Sequence, residues 1–177
     1  MKTALFDTLG DRVADATVLD LFGGVGSVGI EALSRGARHA TFVELDAGII
    51  EILRENLRTT GTADRAEVIC GDAFRFLTTV GAKERAFDLI YIAPPQYHGM
   101  AAQAFRQIDA APLSAAGGLV IIQIDPRERL DITTIIPRHY LLTNERRYGS
   151  TLLLFFTHRA THHHGQGEKI HGTAAPD

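Results

Sequence analysis

The 177-residue sequence has one cysteine, Cys70, which excludes an internal disulfide and a metal cluster built on thiolates. Cys70 lies in the apolar run "AEVIC", and that setting predicts a buried core thiol rather than a nucleophile. No apolar run reaches the roughly 18 residues that a membrane span requires. The polar opening "MKTALFDTLGDR" lacks the apolar core of a secretory signal, so a cytoplasmic setting is expected. Positive charge is not in excess either. With a formal net charge of −3, binding to nucleic acid would need a local basic face. Hydrophobic residues at 45% and charged residues at 22% suit one globular domain with a full core.

Apolar runs alternate with amphipathic stretches. Buried strands are predicted at "TVLDLF" (Thr17 to Phe22), "HATFVEL" (His39 to Leu45), "AEVICG" (Ala66 to Gly71), "FDLIYIA" (Phe87 to Ala93) and "GLVIIQID" (Gly118 to Asp125). Helices are predicted between them, at Gly26 to Arg35, Asp46 to Thr60, Ala73 to Val80 and Met100 to Pro112. Such a series implies a parallel sheet covered by helices on both faces. The rhythm then changes. "HYLLTNERRYGSTLLLFFT" (His139 to Thr157) reads as two strands joined by a tight turn at Tyr148-Gly149-Ser150. The expected fold is therefore α/β, a Rossmann-like sheet that is mostly parallel and closes with a C-terminal antiparallel hairpin. The domain is expected to span residues 1–158. Residues 159–177, with His162-His163-His164 and no apolar periodicity, are expected to form a disordered, solvated tail without a metal site.

The stretch "LDLFGGVGSVGIEAL" contains Gly24-x-Gly26-x-x-Gly29, the spacing of a nucleotide-binding turn at a helix N-terminus. A dinucleotide is one candidate ligand. The acidic residues favour another, S-adenosylmethionine, which carries an amino group and a positive sulfur. Asp20 stands just before the glycines, where its carboxylate is expected to face that cation, with Phe22 beside it. Glu44, followed by Leu45, ends the second strand and can accept the ribose hydroxyls of either cofactor. Asp72 follows the third strand, where it can take an adenine amino group while the Ala73 N–H meets a ring nitrogen. A helix cap or a solvated turn is the alternative for any one of these acids; their order along successive strand ends argues for a ligand rim. The fourth strand ends in "YIAPPQYHG". Pro94 and Pro95 remove N–H donors and leave carbonyls free to hold an exocyclic amine in line with a methyl group. Tyr97 can stack on the base that carries it. A plain turn with an anchoring tyrosine is the competing reading. Arg35, Arg38, Arg75, Arg146 and Arg147 fall near element ends and form a candidate basic face.

With these residues in hand, the sequence resembles the RsmD family of 16S rRNA guanine-N2 methyltransferases. "DLFGGVGSVGIEALSRGA" (Asp20 to Ala37) matches that family's DLFAGSGALGLEALSRGA-like stretch, and "FVELD", "ENL", "GDAFRFL", "FDLIYIAPP" and "YGST" follow in order. "ALFDTLG" resembles the helix that precedes the family's first strand. The resemblance implies a seven-stranded class I methyltransferase using S-adenosylmethionine. It implies Asp20, Phe22, Gly24, Gly26, Glu44, Leu45, Asp72 and Ala73 as cofactor residues, and Ala93, Pro94, Pro95 and Tyr97 as the amine site. It also implies a partner, 16S rRNA or a small-subunit assembly intermediate, with the enzyme a cytoplasmic monomer. Two departures stand out. The family's N-terminal Arg-Pro-Thr hairpin is expected to be absent. Its DPPY motif is replaced by Ala93-Pro94-Pro95-Gln96-Tyr97, which loses a carboxylate and moves the ring by one residue. These departures keep open a methyltransferase for a small molecule or protein, and a non-catalytic cofactor-binding assembly factor. A dehydrogenase explains neither Asp72 nor the paired prolines.

Overall fold

The computed structural model describes residues 2–80 and 86–159. Five strands run in parallel: β1 (Thr17–Asp20), β2 (His39–Glu44), β3 (Ala66–Cys70), β4 (Phe87–Ile92) and β5 (Ser114–Ile124). A hairpin completes the sheet, with β6 (Tyr140–Tyr148) at the edge and β7 (Thr151–His158) inserted antiparallel beside β5. The spatial order is β3-β2-β1-β4-β5-β7-β6. A two-residue turn at Gly149 and Ser150 closes the hairpin, with Gly149 at φ +59° in the left-handed region that such turns require. The predicted mixed sheet is the one observed.

Among the described residues, six α-helices cover the two faces: α1 (Lys2–Leu9), α2 (Ser27–Ser34), α3 (Ala47–Thr59), α4 (Ala73–Thr79), α5 (Met100–Ala110) and α6 (Arg129–Thr133). Their placement follows from strand alternation. Val18, Leu89 and Ile121 point to a layer with Leu5 and Phe6 of α1, Leu33 of α2 and Leu53 of α3. Their neighbours Leu19, Ile90 and Ile122 point the other way, onto Phe76 of α4 and Phe105 and Ile108 of α5. Strands buried on both sides read as unbroken apolar runs, which is why their positions were legible. Among the described residues, no helix is long and apolar enough to cross a membrane.

Three local expectations need correction. Cys70 is exposed, because β3 is the sheet edge and the thiol sits at its open end. β5 begins at Ser114 rather than Gly118, and its pairing with β4 slips between Phe87 and Leu89. The short α6 is additional; a 3-10 turn at Pro126–Glu128 leads into it, opened by a capping box in which Asp125 accepts from the backbone and Glu128 accepts from the Asp125 N–H. Arg159, the first residue of the expected tail, donates its N–H to His139 O at 2.8 Å. The rest of that expectation, residues 160–177 with the histidine run, lies outside the described residues.

Candidate active site

The chain reverses its direction of winding between β1 and β4, and the strand ends splay there into a crevice. A cavity of about 690 Å³ occupies it, within the range of ligand sites. Each of the first four strands contributes. Phe22 and Gly24 come from the turn after β1, Glu44 and Leu45 from the end of β2, Asp72 and Ala73 from the end of β3, and Ala93, Pro94 and Pro95 from the end of β4. Nine of the sequence-predicted residues thus meet in one space. Leu21, Val43, Asp46, Gly71 and Met100 complete the lining. These the sequence reading missed, since only their adjacency to the acids and glycines in the chain marked them.

The glycines divide their work. Gly24, at φ +51°, has open space where a side chain would go, so its backbone faces the cavity. Its N–H donates to Glu44 Oε2 at 2.8 Å. Gly29 is different. A Cβ there would lie 2.3 Å from Cε1 of Phe42, so its bareness lets α2 sit directly on β2. Gly26 also packs inward, against Leu53 and Ile30, and does not line the cavity.

Asp20 is likewise outside the lining. Its side chain is buried under the turn, where Oδ2 accepts from the Gly29 N–H at 3.2 Å. Burial, with the Glu44 charge adding to it, pushes the Asp20 carboxyl up to about 7, although the Gly29 N–H opposes the shift. Burial, with the neighbouring Asp20 carboxylate adding to it, pushes up the phenol of Tyr91, whose hydroxyl donates to Gln123 Oε1. Asp20 thus supports the turn from below and is not among the residues that line the cavity.

Glu44 accepts three backbone N–H groups, from Gly24 on Oε2 and from Leu45 and Asp46 on Oε1, at 2.8, 2.8 and 2.9 Å. A carboxylate offers about four acceptor sites, which leaves one, on Oε2. Asp72 caps α4, with Oδ1 accepting from the Arg75 N–H at 2.8 Å, and it lines the cavity as well. Cap and ligand readings are thus compatible. As the first helical residue of α4, Ala73 has an N–H with no partner inside the helix. Past β4, the Ala93 and Pro94 carbonyls accept no hydrogen bond from a described residue.

Tyr97 stands apart from the lining. It adopts φ +66°, donates its N–H to Glu128 Oε1 at 3.0 Å and its hydroxyl to Asp125 Oδ2 at 2.7 Å. The five arginines do not converge. Arg35 pairs with Glu31 and Arg38 with Asp15, at the end of the sheet opposite the cavity, whereas Arg75, Arg146 and Arg147 are exposed toward the cavity end.

This sheet order, with a glycine turn and acids at successive strand ends, defines a class I methyltransferase fold. The model of a family described as conserved hypothetical protein 95 matches residues 1–157, and the chain belongs to that family. Ribosomal RNA small subunit methyltransferase D of Haemophilus influenzae is 31% identical over 150 residues, covering 84% of this chain and 75% of the relative. The solved structure of yhhF, a provisionally assigned methyltransferase from Escherichia coli, superposes with a TM-score of 0.80 at 27% identity, covering 90% of this chain and 86% of the other. An RNA methyltransferase from Salinibacter ruber, solved with S-adenosyl-L-homocysteine, shares the fold alone at TM-score 0.68 and 14% identity, with 89% and 90% coverage. The resemblance to the RsmD family read from the sequence is borne out.

Proposed function

We infer that the protein is an S-adenosylmethionine-dependent methyltransferase that acts on the exocyclic N2 of a guanine in 16S rRNA or a small-subunit assembly intermediate, as a cytoplasmic monomer. The observation that carries this reading is the single cavity that joins Glu44, Asp72 and the Ala93–Pro94 carbonyls. Its residues fit the methyl donor. Oε2 of Glu44 has one acceptor site left for a ribose hydroxyl, and Oδ2 of Asp72 is free for an adenine amine. The Ala73 N–H adds a donor for a ring nitrogen, and Leu45, 67% exposed, offers an apolar lip.

When bound, the sulfonium supplies an electrophilic methyl group, so the protein's part is alignment rather than covalent chemistry. Across the cavity, the Ala93 and Pro94 carbonyls accept the two hydrogens of the target amine. That leaves the nitrogen lone pair directed along the line of attack. The same two oxygens would stabilise the positive charge that develops on nitrogen as the methyl group leaves sulfur for it, until one amine proton passes to solvent. The names of the relatives support RNA over a small molecule or protein as substrate.

Calorimetry is expected to detect S-adenosylhomocysteine binding and no NADH binding. Nucleoside analysis of small-subunit RNA from a deletion strain is expected to lack one N2-methylguanosine. An unchanged nucleoside profile would refute the RNA assignment.

A further inference from the structure

The loop between β4 and α5 carries the amine-holding carbonyls, yet it has little of its own to fix it. Among the described residues, only two side-chain hydrogen bonds reach positions 94–98, and both end on Tyr97. Both come from the turn after β5, the strand that pairs with β4. Asp125 and Glu128 are 9% and 7% exposed, and they are tied to each other by the capping box, in which the Asp125 N–H donates to Glu128 Oε2 at 3.3 Å. Tyr97 is held at φ +66°, a conformation that side chains other than glycine rarely adopt. The residue remains 57% exposed while its hydroxyl is anchored.

We propose that Asp125 and Glu128 are positioning residues of the methyl-transfer site: through Tyr97 they fix the backbone of the amine-holding loop and keep the Tyr97 ring turned outward as a stacking face for the target base. The proposal rests on the methyltransferase reading above. Two bonds at right places, one to the backbone and one to the far end of the side chain, define both the loop's path and the ring's direction. Arg127 is exposed on the same turn, between Asp125 and Glu128 in the chain.

The test combines kinetics with amide exchange. In Glu128→Ala the Tyr97 amide is expected to lose protection at least tenfold, and kcat on RNA to fall about tenfold or more, because small misplacement of a reacting group is costly. S-adenosylhomocysteine affinity should stay within twofold, since neither acid lines the cofactor cavity. Glu128→Gln should restore kcat in part, because the amide oxygen still accepts the Tyr97 N–H at 3.0 Å while its NH2 replaces only the longer 3.3 Å acceptor of the Asp125 N–H. Asp125→Asn should lower the Tyr97 phenol toward its ordinary range in a tyrosinate titration, assigned against Tyr97→Phe. Retained amide protection and unchanged kcat in Glu128→Ala would overturn the proposal, as would a parallel loss of cofactor affinity, the mark of general unfolding. Where Glu128→Ala does not fold, Asp125→Asn carries the test, and a Tyr97 phenol and a kcat both unchanged from wild type would overturn the proposal. A wild-type protein that methylates no RNA refutes the functional reading instead, and amide exchange still decides whether the two acids hold the loop.

Discussion

The Gly24 N–H donates a 2.8 Å hydrogen bond to Glu44 Oε2, and through it the turn after β1 is fastened to the end of β2. The same carboxylate fastens the start of α3 through the Leu45 and Asp46 N–H groups. Loop order therefore depends on one side chain, which on the proposed function also holds the cofactor. Glu44→Ala is expected to cost about 1–3 kcal/mol of stability, the usual penalty for stranded donors. Its affinity for S-adenosylhomocysteine is expected to fall 10- to 100-fold. Urea titration and calorimetry separate the two effects; an affinity loss below twofold would remove Glu44 from the binding site.

Two glycines of one motif should respond in opposite ways to the same substitution. Gly29→Ala drives a methyl into the Phe42 ring, at 2.3 Å from Cε1, and is expected to destabilise the fold by about 1–3 kcal/mol. Gly24→Ala meets no atom, so its cost is only the strain of a positive φ, about 1 kcal/mol. Its methyl would, however, enter the cavity and weaken cofactor binding at least tenfold. Thermal melts and calorimetry on the two variants check the division; equal effects would refute it.

Much of this site was legible because it depends on short stretches of chain. Gly24, Glu44, Asp72 and Pro94 each follow an apolar run within a few residues, so their place at the strand ends followed from the strands. What was not legible depends on distant pairing. The Tyr97 bonds to Asp125 and Glu128 span 28 and 31 residues and exist only because β4 and β5 are neighbours. Edge position is also invisible to local pattern, which is why "AEVIC" suggested a buried thiol where Cys70 is exposed. Asp20 shows a third limit. Its position beside the glycines was readable, but whether its carboxylate turns to the ligand or to the Gly29 N–H depends on how closely α2 packs.

Buried Asp20 predicts a definite pH dependence. Its carboxyl is raised from 3.8 to about 7 in the folded protein, so the native state holds a proton that the unfolded chain releases. Stability is unaffected below the unfolded value, declines as pH rises from about 4 to 7, and is lowest above the folded value. The full decline is at most about 4 kcal/mol. Asp20→Asn keeps an acceptor for the Gly29 N–H and has no proton to lose. Its unfolding free energy should be flatter across this window, and equal slopes in the two proteins would exclude Asp20 as the source.

The double use of Asp72 can be split by a single atom. Asparagine caps helices about as well as aspartate, so Asp72→Asn should leave stability within about 0.5 kcal/mol. Its amide oxygen replaces Oδ1 opposite the Arg75 N–H, which turns an NH2 group toward the cavity where Oδ2 stood. Two donors would then face each other if an adenine amine docks there. S-adenosylhomocysteine affinity is expected to fall at least tenfold with an unchanged melting temperature. An unaltered affinity would leave Asp72 as a helix cap alone.

Ala93 poses the opposite case, a site with a group to gain. It lines the cavity at the end of β4, where it is partly exposed, and it stands where the related motif carries a carboxylate. On the proposed function the amine-holding acceptors are the Ala93 and Pro94 carbonyls, in the loop that the Tyr97 anchors tie to the turn after β5. Ala93→Asp adds a third acceptor for the amine hydrogens without disturbing those two. A charged acceptor forms the stronger hydrogen bond, about 1.5–3 kcal/mol, and it gains as positive charge develops on nitrogen. Turnover on small-subunit RNA is therefore expected to hold or to rise up to about tenfold, with S-adenosylhomocysteine affinity unchanged. A complete loss of turnover in a folded, cofactor-binding variant would mean that the cavity is shaped for a substrate other than a guanine amine.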